Sequence, residues 1–167
     1  MTHENVVQSL LDYMRSATAR GGLAYAETPT RMSGGFDATI LGFSLRGAPK
    51  PFSGPLVLRL FQANADGRRA PREAAMQNAL AELGYPAPRV FVAEERTEPL
   101  GGAFLIMERR PGRPLGWELE ALRLKGVGQV LNMLRRLPHI RREILRLWEQ
   151  AQTSLHSVPV ADFVASV

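Results

Sequence analysis

Apolar positions near the start of the chain fall at Val6, Val7, Leu10, Leu11 and Met14, the spacing of one helix face, with Thr2 ahead as a cap and Gly21-Gly22 behind as a stop. The pattern predicts a short amphipathic helix over 3–20. After the turn-forming Glu27-Thr28-Pro29, residues 30–36 and 38–45 are extended and meet through Ser33-Gly34-Gly35-Phe36-Asp37, which predicts a hairpin around a glycine loop. A loop rich in Gly and Pro, Arg46 to Pro55, then leads into Leu56-Val57-Leu58-Arg59-Leu60-Phe61. This run predicts a buried strand interrupted by one strong charge.

Pro71 stands where a first-turn proline belongs, and Ala74, Ala75, Asn78, Ala79 and Leu83 continue a helical face until Gly84, so a helix is expected over 70–84. Pro86 and Pro88 force an extended entry into a strand over 89–93, and a turn at 99–102 precedes a further apolar strand at 103–107. From Trp117 onward the periodicity is helical: Leu119 and Leu122, then Val127, Val130, Leu131 and Leu134, then, after Pro138, a stripe of Ile140, Ile144, Leu147, Trp148, Ala151 and Leu155. Between these regions lies Glu108-Arg109-Arg110-Pro111-Gly112-Arg113-Pro114, a composition suited to a connector. The expected class is α+β, with about five antiparallel strands and one inserted helix, followed by helices.

A chain of 167 residues with 45% hydrophobic content can bury one core, which sets the limit at one domain or one and a fraction. No apolar run approaches the roughly 18 to 20 residues of a membrane span, and Glu4 and Asp12 replace the basic head of a leader. Both observations argue against membrane insertion and secretion. The absence of cysteine excludes disulfides, thiolate metal sites and a thiol nucleophile; it fits a reducing compartment and makes the cytoplasm the expected location. A net charge of +5 raises nucleic acid as a partner. The basic groups, Arg68-Arg69-Arg72, Arg109-Arg110-Arg113, and Arg135-Arg136 with Arg141-Arg142-Arg146, are scattered and lack interleaved aromatic residues, which argues against it.

The order of strand, glycine loop, strand, strand bearing a cation, helix bearing a glutamate, two strands, connector and helices resembles the N-terminal lobe of a kinase. Five segments narrow that resemblance: Ser33-Gly34-Gly35, Leu56-Val57-Leu58-Arg59, Arg72-Glu73-Ala74-Ala75, Leu83-Gly84-Tyr85-Pro86-Ala87-Pro88, and Phe104 through Gly112. Together they resemble the aminoglycoside phosphotransferase family of small-molecule kinases, over about half the chain. Leu155-His156 resembles the Leu-His that ends an early helix of that family's C-terminal lobe. The resemblance implies a nucleotide-binding N-lobe over 1–107, an inter-lobe linker over 108–115, and the helical start of a C-lobe over 116–167.

It also implies roles for single residues. Gly34 and Gly35, with Ser33, would let backbone amides approach phosphate oxygens, although three spaced glycines are not present; a plain hairpin turn is the other reading. Arg59 and Glu73 take the places of the strand lysine and helix glutamate that hold a nucleotide's phosphates. A guanidinium fork can engage carboxylate and phosphate together, while a structural ion pair remains the alternative. The linker backbone at Glu108 and Arg110 would bind the adenine or guanine base. Met107 is either core or the border of the base pocket.

Phosphoryl transfer also needs a carboxylate to orient the acceptor hydroxyl and further groups to hold magnesium. The family draws these from a His-x-Asp loop with a downstream Asn and from an Asp-x-Asp, and neither occurs here. His3, His139 and His156 are followed by no such Asp, and Asp162-Phe163-Val164 only imitates the start of a kinase magnesium motif. No catalytic residue and no metal ligand is therefore assigned. The expectation is the ATP- or GTP-binding part of a kinase, interrupted at Val167, whose Mg2+ ligands lie in a C-lobe still to come. Its acceptor would be a small-molecule hydroxyl, and its uncovered helices would favour self-association. The alternative is a non-catalytic module that binds nucleotide or protein.

Overall fold

The computed structural model describes residues 2–32, 37–112 and 127–166, of which 127–137 and 165–166 are described as backbone only. The chain forms two compact units, Met1–Arg110 together with Phe163–Val167, and Pro111–Asp162.

In the first unit, helix α1 (His3–Ala17) begins at Thr2, whose hydroxyl accepts from the Asn5 amide at 3.4 Å. Seven strands follow among the described residues: β1 (Ala24–Tyr25), β2 (Thr30–Arg31), β3 (Ala38–Phe43), β4 (Leu45–Arg46), β5 (Leu56–Phe61), β6 (Val90–Glu94) and β7 (Phe104–Glu108). Helix α2 (Arg69–Glu82) is inserted between β5 and β6. Five strands form an antiparallel sheet in the order β2-β3-β5-β7-β6, while β1 and β4 make a separate two-stranded ribbon. The class is α+β, with a five-stranded antiparallel sheet and one inserted helix, as the sequence leads one to expect.

Alternation along β5 sends its side chains to opposite faces of this sheet. Leu56, Leu58 and Leu60 join Leu41, Phe43, Phe104 and Ile106 on the face that α1 covers with Val6, Leu10, Leu11 and Met14. Tyr13 locks this packing: its ring meets Phe104 edge-on at 5.0 Å, and its hydroxyl donates to Glu94 at 3.4 Å. Phe61 faces the other way and clusters with Leu105 and Met107 beneath Ala70 and Ala74 of α2. Small residues on the inner face of α2 let the helix lie close to the sheet, which brings the side chain of Glu73 within reach of β5.

Both ends of α2 have a physical cause. Pro71 sits in the first turn, where the amide it lacks would have no intrahelical partner. At the other end Gly84 adopts φ of +85°, the Gly84 amide donates to Ala81 at 3.2 Å and the Tyr85 amide to Leu80 at 2.9 Å. This is a Schellman stop, and it accounts for Gly84 ending the apolar pattern. Asn78 then ties the helix to β6, donating to the Val90 carbonyl at 3.1 Å and accepting from the Val90 amide at 2.8 Å.

In the second unit, helix α3 (Val127–His156) runs through Pro138. Apolar periodicity alone separates a segment before Pro138 from one after it, yet the two form one helix here. Proline removes a single amide from the ladder, and 30 residues supply enough other bonds to carry the helix across it. The helix ends at His156, the residue at which the Leu155-His156 resemblance placed an end. A short helix α4 (Val160–Ser166) follows and contains Asp162-Phe163-Val164, so the apparent magnesium motif is helical.

Candidate functional site

Arg59 stands in the middle of β5, opposite Ile40 of β3 and Leu105 of β7. The sheet register therefore directs its side chain to the face covered by α2. There its Nη1 donates to Glu73 Oε2 at 2.7 Å, and each side chain is 26% exposed. A cation displaced from most of its water at this depth needs a carboxylate partner, and Glu73 supplies it from the first half of α2.

The pair is half of a larger arrangement. Arg69, one helical turn before Glu73, donates through Nε to Glu73 Oε1 at 2.6 Å. Asp37, at the entry to β3, lies 3.5 Å from Arg59 Nη2 and 2.5 Å from Arg69 Nη2. Two guanidiniums and two carboxylates thus alternate around a closed ring. Phe61 forms its base: the Arg59 and Arg69 guanidinium carbons lie 5.0 and 4.9 Å from the centre of its ring. The hydrogen bond from Arg69 is the main cause that holds the Asp37 carboxyl below its ordinary range, and the guanidinium of Arg69 is raised, first by Glu73 and then by Asp37.

Of the residues singled out in the sequence, Arg59 and Glu73 are brought into contact. Ser33, Gly34 and Gly35 lie outside the described residues. Met107 is buried at the position opposite Val57, with its sulfur 3.6 Å from Gln77 Nε2. The Glu108 carboxylate is engaged by the Arg89 amide at 3.1 Å and by Arg110 Nε at 3.5 Å. The Arg109 amide donates to the Pro55 carbonyl at 2.9 Å, and a Cβ placed on Gly42 would come within 3.3 Å of Arg109 Nη1. Glycine at position 42 thereby makes room for the Arg109 side chain over β3.

Sequence reasoning missed Asp37, Phe61 and Arg69 as members of the site. Two of them carried a signal. Arg69 precedes Glu73 by one helical turn, and Phe61 follows Arg59 by two residues on the same strand face. Asp37 carried none, because its approach depends on the pairing of Ala38 with Phe61 across two strands.

The ring presents two forked donors to any anion, which suits oxygens of phosphate or carboxylate. Among the described residues no group of three or more His, Asp or Glu side chains is placed to hold a metal ion. None of their helices is long and apolar enough to cross a membrane.

Residues 45–163 match the phosphotransferase enzyme family. No curated protein matches the chain. Among solved structures, one match is a protein of Ralstonia eutropha JMP134 whose name assigns it to the aminoglycoside phosphotransferases; identity is 23% and the TM-score 0.46. The match covers 64% of this chain and 28% of that one.

Proposed function

The chain belongs to the phosphotransferase enzyme family, and from that premise we propose that it is the nucleotide-holding part of a kinase that moves the γ-phosphate of ATP or GTP to a hydroxyl group of a small molecule. The observation that carries this reading is the contact of Arg59 with Glu73, a strand cation oriented by a helix carboxylate. In this reading Arg59 binds phosphate oxygens while Glu73 holds its guanidinium in place. Gly34 and Gly35, with Ser33, bring backbone amides to the phosphates. Met107 borders the base, and the backbone at Glu108 and Arg110 binds its edge.

Residues 1–107 then act as the nucleotide lobe, 108–115 as the linker and 116–167 as the start of the helical lobe. The described residues contain no ligand set for magnesium, so no step is assigned to the metal. A chain without cysteine is suited to the reducing cytoplasm, the location we propose.

Calorimetric titration of ATP and of GTP into the chain, and into Arg59→Ala, tests the reading. Binding of one nucleotide, weakened about tenfold or more by the substitution, is expected for a charge-assisted phosphate contact. Equal affinities of the two proteins would leave the Arg59 and Glu73 pair a structural feature only.

A further inference from the structure

The four charges around Phe61 are not equivalent. Glu73 projects from a helix packed on the sheet, is 26% exposed, and meets its two arginines at 2.7 and 2.6 Å. Asp37 stands just before β3, is 46% exposed, and reaches Arg59 only at 3.5 Å while pairing closely with Arg69. Each guanidinium therefore spends one edge on the helix carboxylate and turns Nη2 toward the more exposed one. Two cations held side by side over one aromatic ring repel each other, and a shared anion relieves that repulsion. Glu73 is one such anion, and Asp37 supplies a second on the exposed side, using carboxylate oxygens where phosphate oxygens could accept the same hydrogen bonds.

We infer that Asp37 is an internal occupant of a phosphate-binding position formed jointly by Arg59 and Arg69, and that a phosphate group of the ligand displaces it. Arg69 is then a second binding residue of the site, and Asp37 a competitor that sets its affinity. The inference rests on the proposed nucleotide reading for the identity of the ligand, but the position itself selects for phosphate oxygens of any polyphosphate. Displacement leaves Glu73 in contact with both arginines, so the donors stay oriented while their exposed edges change partner.

The test is calorimetric titration of ATP and of inorganic tripolyphosphate into the full chain and into Asp37→Asn, Asp37→Ser and Arg69→Gln, with thermal unfolding to confirm that each is folded. Both Asp37 variants are expected to bind tripolyphosphate roughly fivefold more tightly, the scale of one partly exposed charge pair. Arg69→Gln is expected to weaken it roughly tenfold. ATP should follow the same order. If ATP binds and depends on Arg59 while neither Asp37 variant binds tripolyphosphate more tightly, the inference falls and the nucleotide reading stands. If tripolyphosphate responds as expected and ATP does not bind, the phosphate position stands and the nucleotide reading falls. Failure of tripolyphosphate to bind the parent chain and the Asp37 variants overturns the inference.

Discussion

The side-chain amide of Asn78 pairs with both main-chain groups of Val90, accepting at 2.8 Å and donating at 3.1 Å. Strand β6 lies at the edge of the sheet, and its pairing with β7 is irregular between Val90 and Val92. Asn78 takes up the hydrogen-bonding groups that a neighbouring strand would otherwise satisfy, and so couples the helix carrying Glu73 to the sheet carrying Arg59. Replacing Asn78 with Leu should destabilise the chain by about 2 kcal/mol, because two bonds are lost at a partly buried position. Asn78→Asp keeps the acceptor and should cost less. Urea unfolding of the three proteins measures the order.

Glu73→Ala leaves Arg59 and Arg69 with only Asp37 between them. A loss of about 1 to 2 kcal/mol in unfolding free energy is expected, since the pair is mostly but not fully withdrawn from water. Arg59→Ala should affect stability less than nucleotide binding, because the remaining Arg69 still partners Glu73. Chemical denaturation and calorimetry on both variants separate the two effects.

Gly67 precedes α2 and packs against the backbone of Glu95; a Cβ there would fall inside van der Waals contact with the Glu95 carbonyl oxygen. Backbone on both sides leaves no flexible side chain to give way. Gly67→Ala should therefore destabilise by about 1 to 3 kcal/mol, the range for overpacking. A lower thermal midpoint is the readout.

The Glu94 carboxyl is held at about 2, against an ordinary value of 4.5, chiefly by hydrogen bonds from Arg96. A carboxyl lowered in the folded state stabilises it fully above the unfolded value, and this contribution is lost as the pH falls through the folded value. Stability should fall from about pH 4.5 toward about pH 2. Glu94→Gln should flatten that fall, leaving a residual dependence from Asp37 and Asp66, whose arginine partners lower them as well. Denaturant midpoints across this window provide the comparison; an unchanged slope in the variant would contradict the assignment.

On α3, Leu145, Trp148 and Leu155 are 54%, 60% and 41% exposed and recur at helical spacing. An apolar stripe facing water favours association between copies. Sedimentation should show the chain self-associating, and Leu145→Gln combined with Trp148→Gln should shift it toward monomer.

Much of the frame was legible from residue pattern. The strand 56–61 coincides with β5, Thr2 caps α1, and Gly84 stops α2, because apolar period, capping chemistry and a glycine stop are local properties of the chain. Boundaries were less so. The first helix stops at Ala17, short of the Gly21-Gly22 signal, with Thr18 as its cap and Ala19 at φ of +53°. Pro138 did not divide α3, since tolerance of proline depends on the bonds around it.

By itself the sequence determined that a cation would stand in a buried strand and a glutamate on the next helix, because period-2 and period-3.6 patterns place Arg59 and Glu73 on their elements. Only the tertiary structure decided that Asp37 and Arg69 would close a ring with them over Phe61. That outcome depends on the register of β3 against β5 and on how closely the alanine face of α2 approaches the sheet. Register and approach are set by packing between distant segments, and charged side chains find their partners only once that packing has placed them.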